Sequence, residues 1–241
     1  MTLVTTSWDD GHPLDLRVAS TLARHGLRGT FYVPLRAVGD GLVSRSEMKE
    51  LIAMGMEIGS HTVTHPNLTR LRTADLDREL RDSRRALEDL LGVEVSSFCY
   101  PGGKFNRAVT ERAALAGYRL CRTTVDFQTR PVFDPLRMPV SLQLFPHPAA
   151  TYYLHTLRYG NWSGLLNWRR RFRGETDPER LAAGITAALQ PKGGVFHLWG
   201  HSWELEQLGL WRQFDRIAAW LGGLDNAVHL TNGGVLNAVR C

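Results

Sequence analysis

The stretch Leu3-Val4-Thr5-Thr6-Ser7-Trp8-Asp9-Asp10-Gly11 places two adjacent carboxylates directly after a short apolar run. The apolar run predicts a β-strand, so the pair falls where the strand gives way to a loop, the usual position for side chains that perform chemistry. One carboxylate of such a pair can hold a cation while its neighbour stays free as a base. We therefore expect an active site at the end of the first strand.

His61 and His65 form the second informative motif. A spacing of four places two imidazoles one helical turn apart, or on one side of a tight loop, so both reach the same ion. Asp10 completes a set of three ligands and leaves one position open for water. Two imidazoles and a carboxylate suit Zn²⁺, and Co²⁺, Ni²⁺ or Fe²⁺ accept the same donors. The expected cofactor is a divalent metal, with zinc favoured.

Strand and helix patterns alternate along the chain. Strands are predicted at residues 3–6, 27–33, 56–60, 93–100, 118–124, 138–145, 195–199 and 227–231, and helices at 14–25, 44–54, 73–91, 106–116, 178–190 and 211–221. This order, without hairpin signals, indicates a parallel sheet, and so many units in 241 residues predict an α/β fold. We expect a single-domain distorted (β/α) barrel with seven or eight parallel strands over residues 1–241, and a helical insertion at about 149–190. An open doubly wound sheet is the alternative.

The barrel is favoured because the polar residues cluster at predicted strand ends. The aspartates follow the first strand, His61 and His65 the third, Tyr100 the fourth and His201 a late one. Barrels place their active sites at the carboxyl ends of the strands. The pattern therefore indicates one shared site at that end of the barrel.

Three motifs in order resemble those of the polysaccharide deacetylase family, the NodB-homology fold. They are Ser7-Trp8-Asp9-Asp10-Gly11, Ser60-His61-Thr62-Val63-Thr64-His65 and Phe98-Cys99-Tyr100-Pro101-Gly102-Gly103. Gly29-Thr30-Phe31-Tyr32-Val33 also resembles the family's second strand. Members of this family hydrolyse N-acetyl or O-acetyl groups on sugars with a divalent metal. The resemblance implies that Asp9 is the general base and that Asp10, His61 and His65 are the metal ligands.

The same resemblance implies an acid histidine at the end of a late strand, and the chain offers His197 and His201. We favour His201, because His201-Ser202-Trp203-Glu204 matches a string found in some relatives. Tyr100 and Gly102 are the expected oxyanion or substrate contacts. Trp203 is placed to stack on a sugar ring, although core packing explains this residue equally well.

The third motif departs from the family at Cys99, where many members carry an arginine that orients the catalytic aspartate. Without a cationic neighbour, burial would push Asp9 toward its neutral form, which accepts no proton. Arg122 and Arg137 are the candidate replacements, since each lies near the end of a neighbouring predicted strand.

Composition excludes several classes of protein. The chain is 43% hydrophobic and 22% charged, with a net charge of +5, which is ordinary for a globular domain. No recognised nucleic-acid motif accompanies the positive charge, and no apolar run approaches the length of a membrane span. We therefore expect neither nucleic-acid binding nor stable membrane insertion. The first strand begins at Leu3 and the three cysteines show no framework spacing, so cytoplasmic location and buried free thiols are expected.

The predicted activity is metal-dependent removal of an acetyl group from an N-acetylated sugar or related small amide. A deformylase, or another hydrolase of non-peptide amides, is an alternative on the same scaffold. A catalytically weak carbohydrate-binding barrel is a third hypothesis. The sequence does not identify the sugar, and it gives no oligomeric state.

Two further groups remain. Arg169-Arg170-Arg171, near Trp162 and Trp168, would either grip a lipid pyrophosphate or an anionic sugar, or form a solvated helix end. The histidines without partner spacing are interpreted as surface or capping residues. They are His12, His25, His147, His155 and His229.

Overall fold

The computed structural model describes residues 1–240. Its strands are β1 (Thr2–Trp8), β2 (Gly29–Val33), β3 (Glu57–Ser60), β4 (Ser97–Cys99), β5 (Leu120–Arg122), β6 (Leu142–Gln143), β7 (Gly194–Gly200) and β8 (Ala227–His229). Its helices are α1 (Asp15–Arg24), α2 (Arg45–Ala53), α3 (Thr73–Leu91), α4 (Arg107–Leu115), α5 (Ala149–Tyr159), α6 (Trp162–Arg171), α7 (Pro178–Leu189), α8 (Ser202–Gln207), α9 (Trp211–Gly222) and α10 (Asn232–Arg240). Cys241, one of the predicted buried thiols, lies outside the described residues. Cys99 and Cys121 are buried free thiols, as predicted.

All strand pairs are parallel, in the order β5-β4-β3-β2-β1-β7-β6, and β8 also pairs with β1. Along one edge β1 pairs with β7 over its whole length; along the other it pairs first with β8 and then with β2. The sheet curls into a distorted barrel within one α/β domain, which confirms the predicted fold class. The carboxyl ends of its strands share one face.

The predicted strand at 138–145 is shorter than expected. Met138 bridges to Arg122 of β5, whereas the Ser141 N–H donates to the His197 carbonyl of β7 at 2.9 Å. The segment crosses from one strand to the other, and Pro139 has no N–H to contribute to a regular ladder. Only β6 remains as a strand. Irregular backbone hydrogen bonds join the segment after β5 to the segment before β6, including Val140 N–H to the Val125 carbonyl at 3.0 Å and Phe127 N–H to the Ser141 carbonyl at 3.1 Å.

Local signals explain the helix boundaries. The Ser44 side chain accepts from the Glu47 N–H while Glu47 accepts from the Ser44 N–H, the capping box predicted for α2. Helix α3 ends at Gly92, whose φ of 72° suits glycine. Helices α8 and α10 were not predicted, because α8 has only six residues and α10 carries two glycines, which are poor helix formers, at its second and third positions.

The main core lies between the sheet and its flanking helices. Trp8, fully buried at the end of β1, meets the Phe214 ring edge to face at 5.0 Å. This packing fixes the strand end immediately before the two aspartates. Helices α5, α6 and α7 lie in sequence between β6 and β7. None of the helices described is long and apolar enough to cross a membrane.

Candidate active site

A cavity of about 200 Å³ opens at the carboxyl ends of the strands. It is lined by Asp9, Asp10, His61, His65, Gly102, Gly103, Thr124, Gln143, His147, His155, Arg158, Trp199 and His201. The Asp9 N–H donates to the Gly200 carbonyl at 3.1 Å, which continues the pairing of β1 and β7 up to the cavity. The strand ends therefore bring together side chains that are far apart in sequence.

Asp10, His61 and His65 converge on one point. The Nε2 atoms of His61 and His65 lie 3.7 and 3.6 Å from Asp10 Oδ1, and one ligand atom from each of the three residues fits within a 4.8 Å group. His61 Nδ1 lies 2.8 Å from the Cys99 carbonyl, so this nitrogen carries the proton and Nε2 keeps its lone pair for an ion. Burial lowers the pKa of His61 to about 4, against the neighbouring carboxylates, so its imidazole is neutral as a metal ligand must be. The donors present fit a divalent metal.

The backbone at these ligands is unusual. Asp10, Thr62 and His65 all have positive φ, at 75°, 73° and 55°. The loop is held by hydrogen bonds, since Thr62 Oγ1 accepts from the His65 N–H at 2.9 Å and Glu79 of α3 accepts from the N–H groups of residues 63 and 64. Left-handed backbone at non-glycine residues costs on the order of 1–3 kcal/mol each and clusters at functional sites. The helix α3 thus supports the loop that presents the two imidazoles.

Asp9 is paired with Arg122. The Arg122 guanidinium donates to Asp9 Oδ1, and both side chains are almost completely buried. Burial alone would raise the pKa of Asp9, but the charge of Arg122 above all, together with protonated His201, holds it at about 2. Asp9 is therefore ionised at neutral pH, as a general base must be.

Arg122 is therefore the arginine that contacts Asp9. The structure corrects the alternative prediction, since Arg137 contacts Asp134 and not Asp9. Arg137 lies in a short 3-10 turn, is about half exposed and has its Nε 3.7 Å from Asp134. A turn between β5 and β6 holds it at the surface. The Cys99 thiol donates to Asp9 Oδ2 at 3.6 Å, and burial raises its pKa well above the usual range, so it remains protonated.

His201 lines the cavity and His197 does not. His201 Nδ1 lies 2.9 Å from Glu204 Oε2, and Nε2 lies 3.7 Å from Asp10 Oδ2. Burial would lower the pKa of His201, but Glu204 and then Asp9 and Asp10 raise it to about 9. His197 instead hydrogen-bonds to Ser7 Oγ at 2.8 Å, and burial lowers its pKa to about 3. Of the two histidines, only His201 is both protonated at neutral pH and open to the cavity.

The first half of the chain, residues 2–121, matches the family model described as polysaccharide deacetylase. The chain belongs to the polysaccharide deacetylase family. It is 30% identical over 131 residues to the peptidoglycan-N-acetylglucosamine deacetylase of Listeria monocytogenes, covering 53% of this chain and 27% of the relative. It is 33% identical over 133 residues to chitin deacetylase 1 of Cryptococcus neoformans, covering 51% and 27%. The matched part of the chain spans less than half the length of these curated relatives.

Solved structures of the polysaccharide deacetylase fold resemble nearly the whole chain. A family 4 acetyl xylan esterase from Clostridium thermocellum, in complex with a cobalt ion, covers 98% of this chain and 91% of its own, with TM-score 0.63 and 14% identity. A candidate polysaccharide deacetylase from Mycobacterium smegmatis covers 99% and 90%, with TM-score 0.68 and 16% identity. At these identities the likeness shows the fold.

Tyr100 and Trp203, which the sequence analysis predicts as substrate contacts, are not among the residues that line this cavity. The Tyr100 hydroxyl donates to the Leu136 carbonyl at 2.9 Å, and its ring packs on Phe105 at 5.1 Å in a core cluster, so its side chain is directed away from the cavity. Trp203 donates its indole N–H to Asp10 Oδ2 at 3.1 Å and lines a neighbouring cavity together with Asp10, so its stacking on a sugar ring stays a prediction. Gly102 does line the cavity, with a φ of 56°.

One further wall of the cavity was not predicted from the sequence. His147 and His155, interpreted from sequence as surface residues, both line it. His155 Nδ1 lies 2.7 Å from the buried carboxylate of Asp126, and His147 Nε2 lies 2.7 Å from Gln143 Oε1. Gln143 in turn donates to Glu204 at 3.3 Å. This wall depends on how α5 packs across the barrel mouth, and no local spacing in the sequence signals it.

Proposed function

We propose that this member of the polysaccharide deacetylase family is a metal-dependent hydrolase that removes an acetyl group from an N-acetylated sugar. The observation that carries the proposal is the grouping of Asp10, His61 and His65 beside the Asp9–Arg122 ion pair in one cavity. Relatives named as deacetylases of peptidoglycan N-acetylglucosamine and of chitin support the choice of an N-acetylated sugar.

Asp10, His61 and His65 would hold the metal, which we propose is Zn²⁺, with Co²⁺, Ni²⁺ or Fe²⁺ as alternatives for the same donors. When bound, a divalent metal polarises the amide carbonyl and lowers the pKa of water toward neutrality. The cobalt ion in the acetyl xylan esterase structure supports a metal in this fold.

The protein side chains divide the proton transfers between them. Asp9, kept ionised by Arg122, takes a proton from the attacking water. His201, kept protonated by Glu204, gives a proton to the departing amine, since an amine anion is a very poor leaving group. Gly102 has no side chain, so its backbone can approach the substrate closely.

The hypothesis of a catalytically weak binding barrel depended on a missing arginine beside Asp9. Arg122 occupies that role, so the hypothesis loses its basis. Hydrolysis of a formyl or another small amide group remains the alternative within the same chemistry. Cytoplasmic location stays a prediction, which cell fractionation would test.

The test combines metal content with acetate release from N-acetylglucosamine oligomers, for wild type, Asp9→Asn and His61→Ala. We expect one metal per chain in wild type and Asp9→Asn, loss of metal in His61→Ala, and acetate release by wild type alone. Formylated amines form a parallel arm. Bound metal with formate but no acetate release would replace the acetyl assignment, and a wild-type protein without metal would overturn the proposal.

A further inference from the structure

Helices α5 and α6 pack against each other and expose large apolar side chains. Leu154 and Leu157 of α5 are 64% and 66% exposed, and Trp162 and Leu166 of α6 are 58% and 47% exposed. Their spacings of three and four place each pair on one face of its helix. Single exposed apolar residues are normal, but a group on two adjoining helices marks an interaction surface.

Arginines complete this surface. Arg169 and Arg170, in the last turn of α6, are exposed, and Arg169 donates to the Tyr153 hydroxyl of α5 at 2.8 Å, which joins the two helices. Residues 135–174 contain no Asp or Glu. We call Leu154, Leu157, Trp162, Leu166, Arg169 and Arg170 the hairpin surface. Its charge has a single sign, which fits an anionic partner.

Two occupants of such a face are a second copy of the chain and a lipid surface. A twofold dimer through this face would enclose the arginines of both copies in one interface, and residues 135–174 offer no Asp or Glu to pair with them. Exposed Trp and Leu beside arginines are the composition of helices that lie in the interface of an anionic bilayer. The absence of acidic residues therefore favours the lipid surface.

We propose that the hairpin surface binds the surface of a membrane that contains anionic lipids. The binding is peripheral, through the apolar side chains in the headgroup region and the arginines at the lipid phosphates. Trp168, the other tryptophan of α6, takes no part, because it is buried and donates to the Glu175 carbonyl at 2.6 Å.

The surface is continuous with the cavity wall. On its other side α5 presents His155 to the cavity, and the Arg158 guanidinium donates to the Gly102 carbonyl at 3.0 Å. Helix α5 therefore carries both part of the hairpin surface and part of the cavity wall. Membrane binding itself does not depend on the proposed deacetylase function.

The experiment is sedimentation of the protein with vesicles of phosphatidylcholine alone and with an equal mixture of phosphatidylcholine and phosphatidylglycerol. Wild type is expected to bind the mixed vesicles, with an affinity that falls as salt is raised. The double variant Leu154→Glu/Leu157→Glu is expected to bind at least about tenfold more weakly, since it removes buried apolar area and adds negative charge. Arg169→Glu/Arg170→Glu is expected to weaken binding and flatten the salt dependence.

The matched control is Leu115→Glu, because Leu115 is 76% exposed on α4 and carries the same chemistry elsewhere on the molecule. It should bind as wild type does. Equal loss in Leu115→Glu, or no binding of wild type to the mixed vesicles, would overturn the proposal. Self-association that depends on the hairpin surface, without vesicle binding, would assign the surface to a second copy instead. Circular dichroism and thermal unfolding establish that each variant is folded.

Discussion

Cys99 and Arg122 are direct partners in the parallel ladder of β4 and β5. Side chains of paired residues in neighbouring parallel strands point to the same face of the sheet. Arg122 therefore donates to Asp9 from the position on β5 that pairs with residue 99 of β4, where many family members have an arginine. In this chain the positive charge beside Asp9 comes from β5 instead of β4, and the small Cys99 side chain leaves room for the guanidinium.

Arg122→Met should lower kcat strongly and leave the metal content unchanged. The buried Asp9 would lose its partner, so its pKa would rise and the acid limb of the pH profile of kcat/KM would move to higher pH. Removing one partner of a buried pair also costs about 3–5 kcal/mol of unfolding free energy. Steady-state kinetics across pH and chemical denaturation measure the two effects.

Arg137→Met is the matched control for this change, because Arg137 is half exposed and faces Asp134. We expect wild-type kinetics and stability within about 0.5 kcal/mol, as for most surface substitutions. A loss of kcat in Arg137→Met equal to that in Arg122→Met would contradict the assignment of Arg122.

Trp203→Phe should weaken metal binding. The indole N–H holds Asp10 Oδ2 at 3.1 Å, and loss of a partner of this kind costs about 10-fold to 100-fold in metal affinity. Metal titration of the apoprotein measures the change. Trp211→Phe is the matched control, because it removes a similar hydrogen bond, from the Trp211 indole to Glu206 at 2.6 Å, away from Asp10, His61 and His65. Its metal affinity should equal that of wild type. Equal affinities of Trp203→Phe and wild type would remove Trp203 from this role.

Glu204→Gln should shift the alkaline limb of kcat/KM to lower pH. Glu204 raises the pKa of His201, and the acid form of a histidine exists only below its pKa, so loss of the carboxylate shortens the active range from the alkaline side. Rates of acetate release across pH give the limb. Glu206→Gln, on the same helix but paired with Arg17 at the surface, should leave the limb in place. If the alkaline limb of kcat/KM in Glu204→Gln lies at the same pH as in wild type, Glu204 does not raise the pKa of the catalytic acid.

His197→Asn should make stability less dependent on pH. His197 has a pKa of about 3 in the folded protein and about 6.5 when unfolded, so protons bind the unfolded chain first as pH falls. Wild type therefore loses stability from pH 6.5 downward toward 3, and this residue contributes about 2 kcal/mol of that loss between pH 7 and 5. Urea unfolding at several pH values compares the slopes. Identical slopes in the two proteins would show that His197 is not the group responsible.

Much of the site follows from short-range patterns. The spacing of His61 and His65 and the strand ends were enough to predict the candidate metal ligands that the structure brings together. The side-chain direction of Tyr100 needed the structure: Cys99 faces Asp9, and the alternation of a strand turns the next residue away from the cavity.

Other parts needed the three-dimensional structure. Arg122 and Arg137 are equivalent by their position near strand ends, and only the register of β4 with β5 distinguishes them. His155 reaches the cavity because α5 crosses the barrel mouth, where it meets Asp126 from a loop 29 residues earlier. Contacts of this kind depend on tertiary packing of an insertion, which no local periodicity encodes.

The uneven pairing of the sheet has a mechanical consequence. β1 is hydrogen-bonded to three other strands, whereas β5 has β4 on one side and a single bridge at Met138 on the other. Amides of β1 should therefore exchange with solvent more slowly than those of β5. Asp9 follows the strand with the most hydrogen-bonded neighbours and Arg122 ends a strand at the far side of the sheet, so their ion pair joins two distant parts of the barrel.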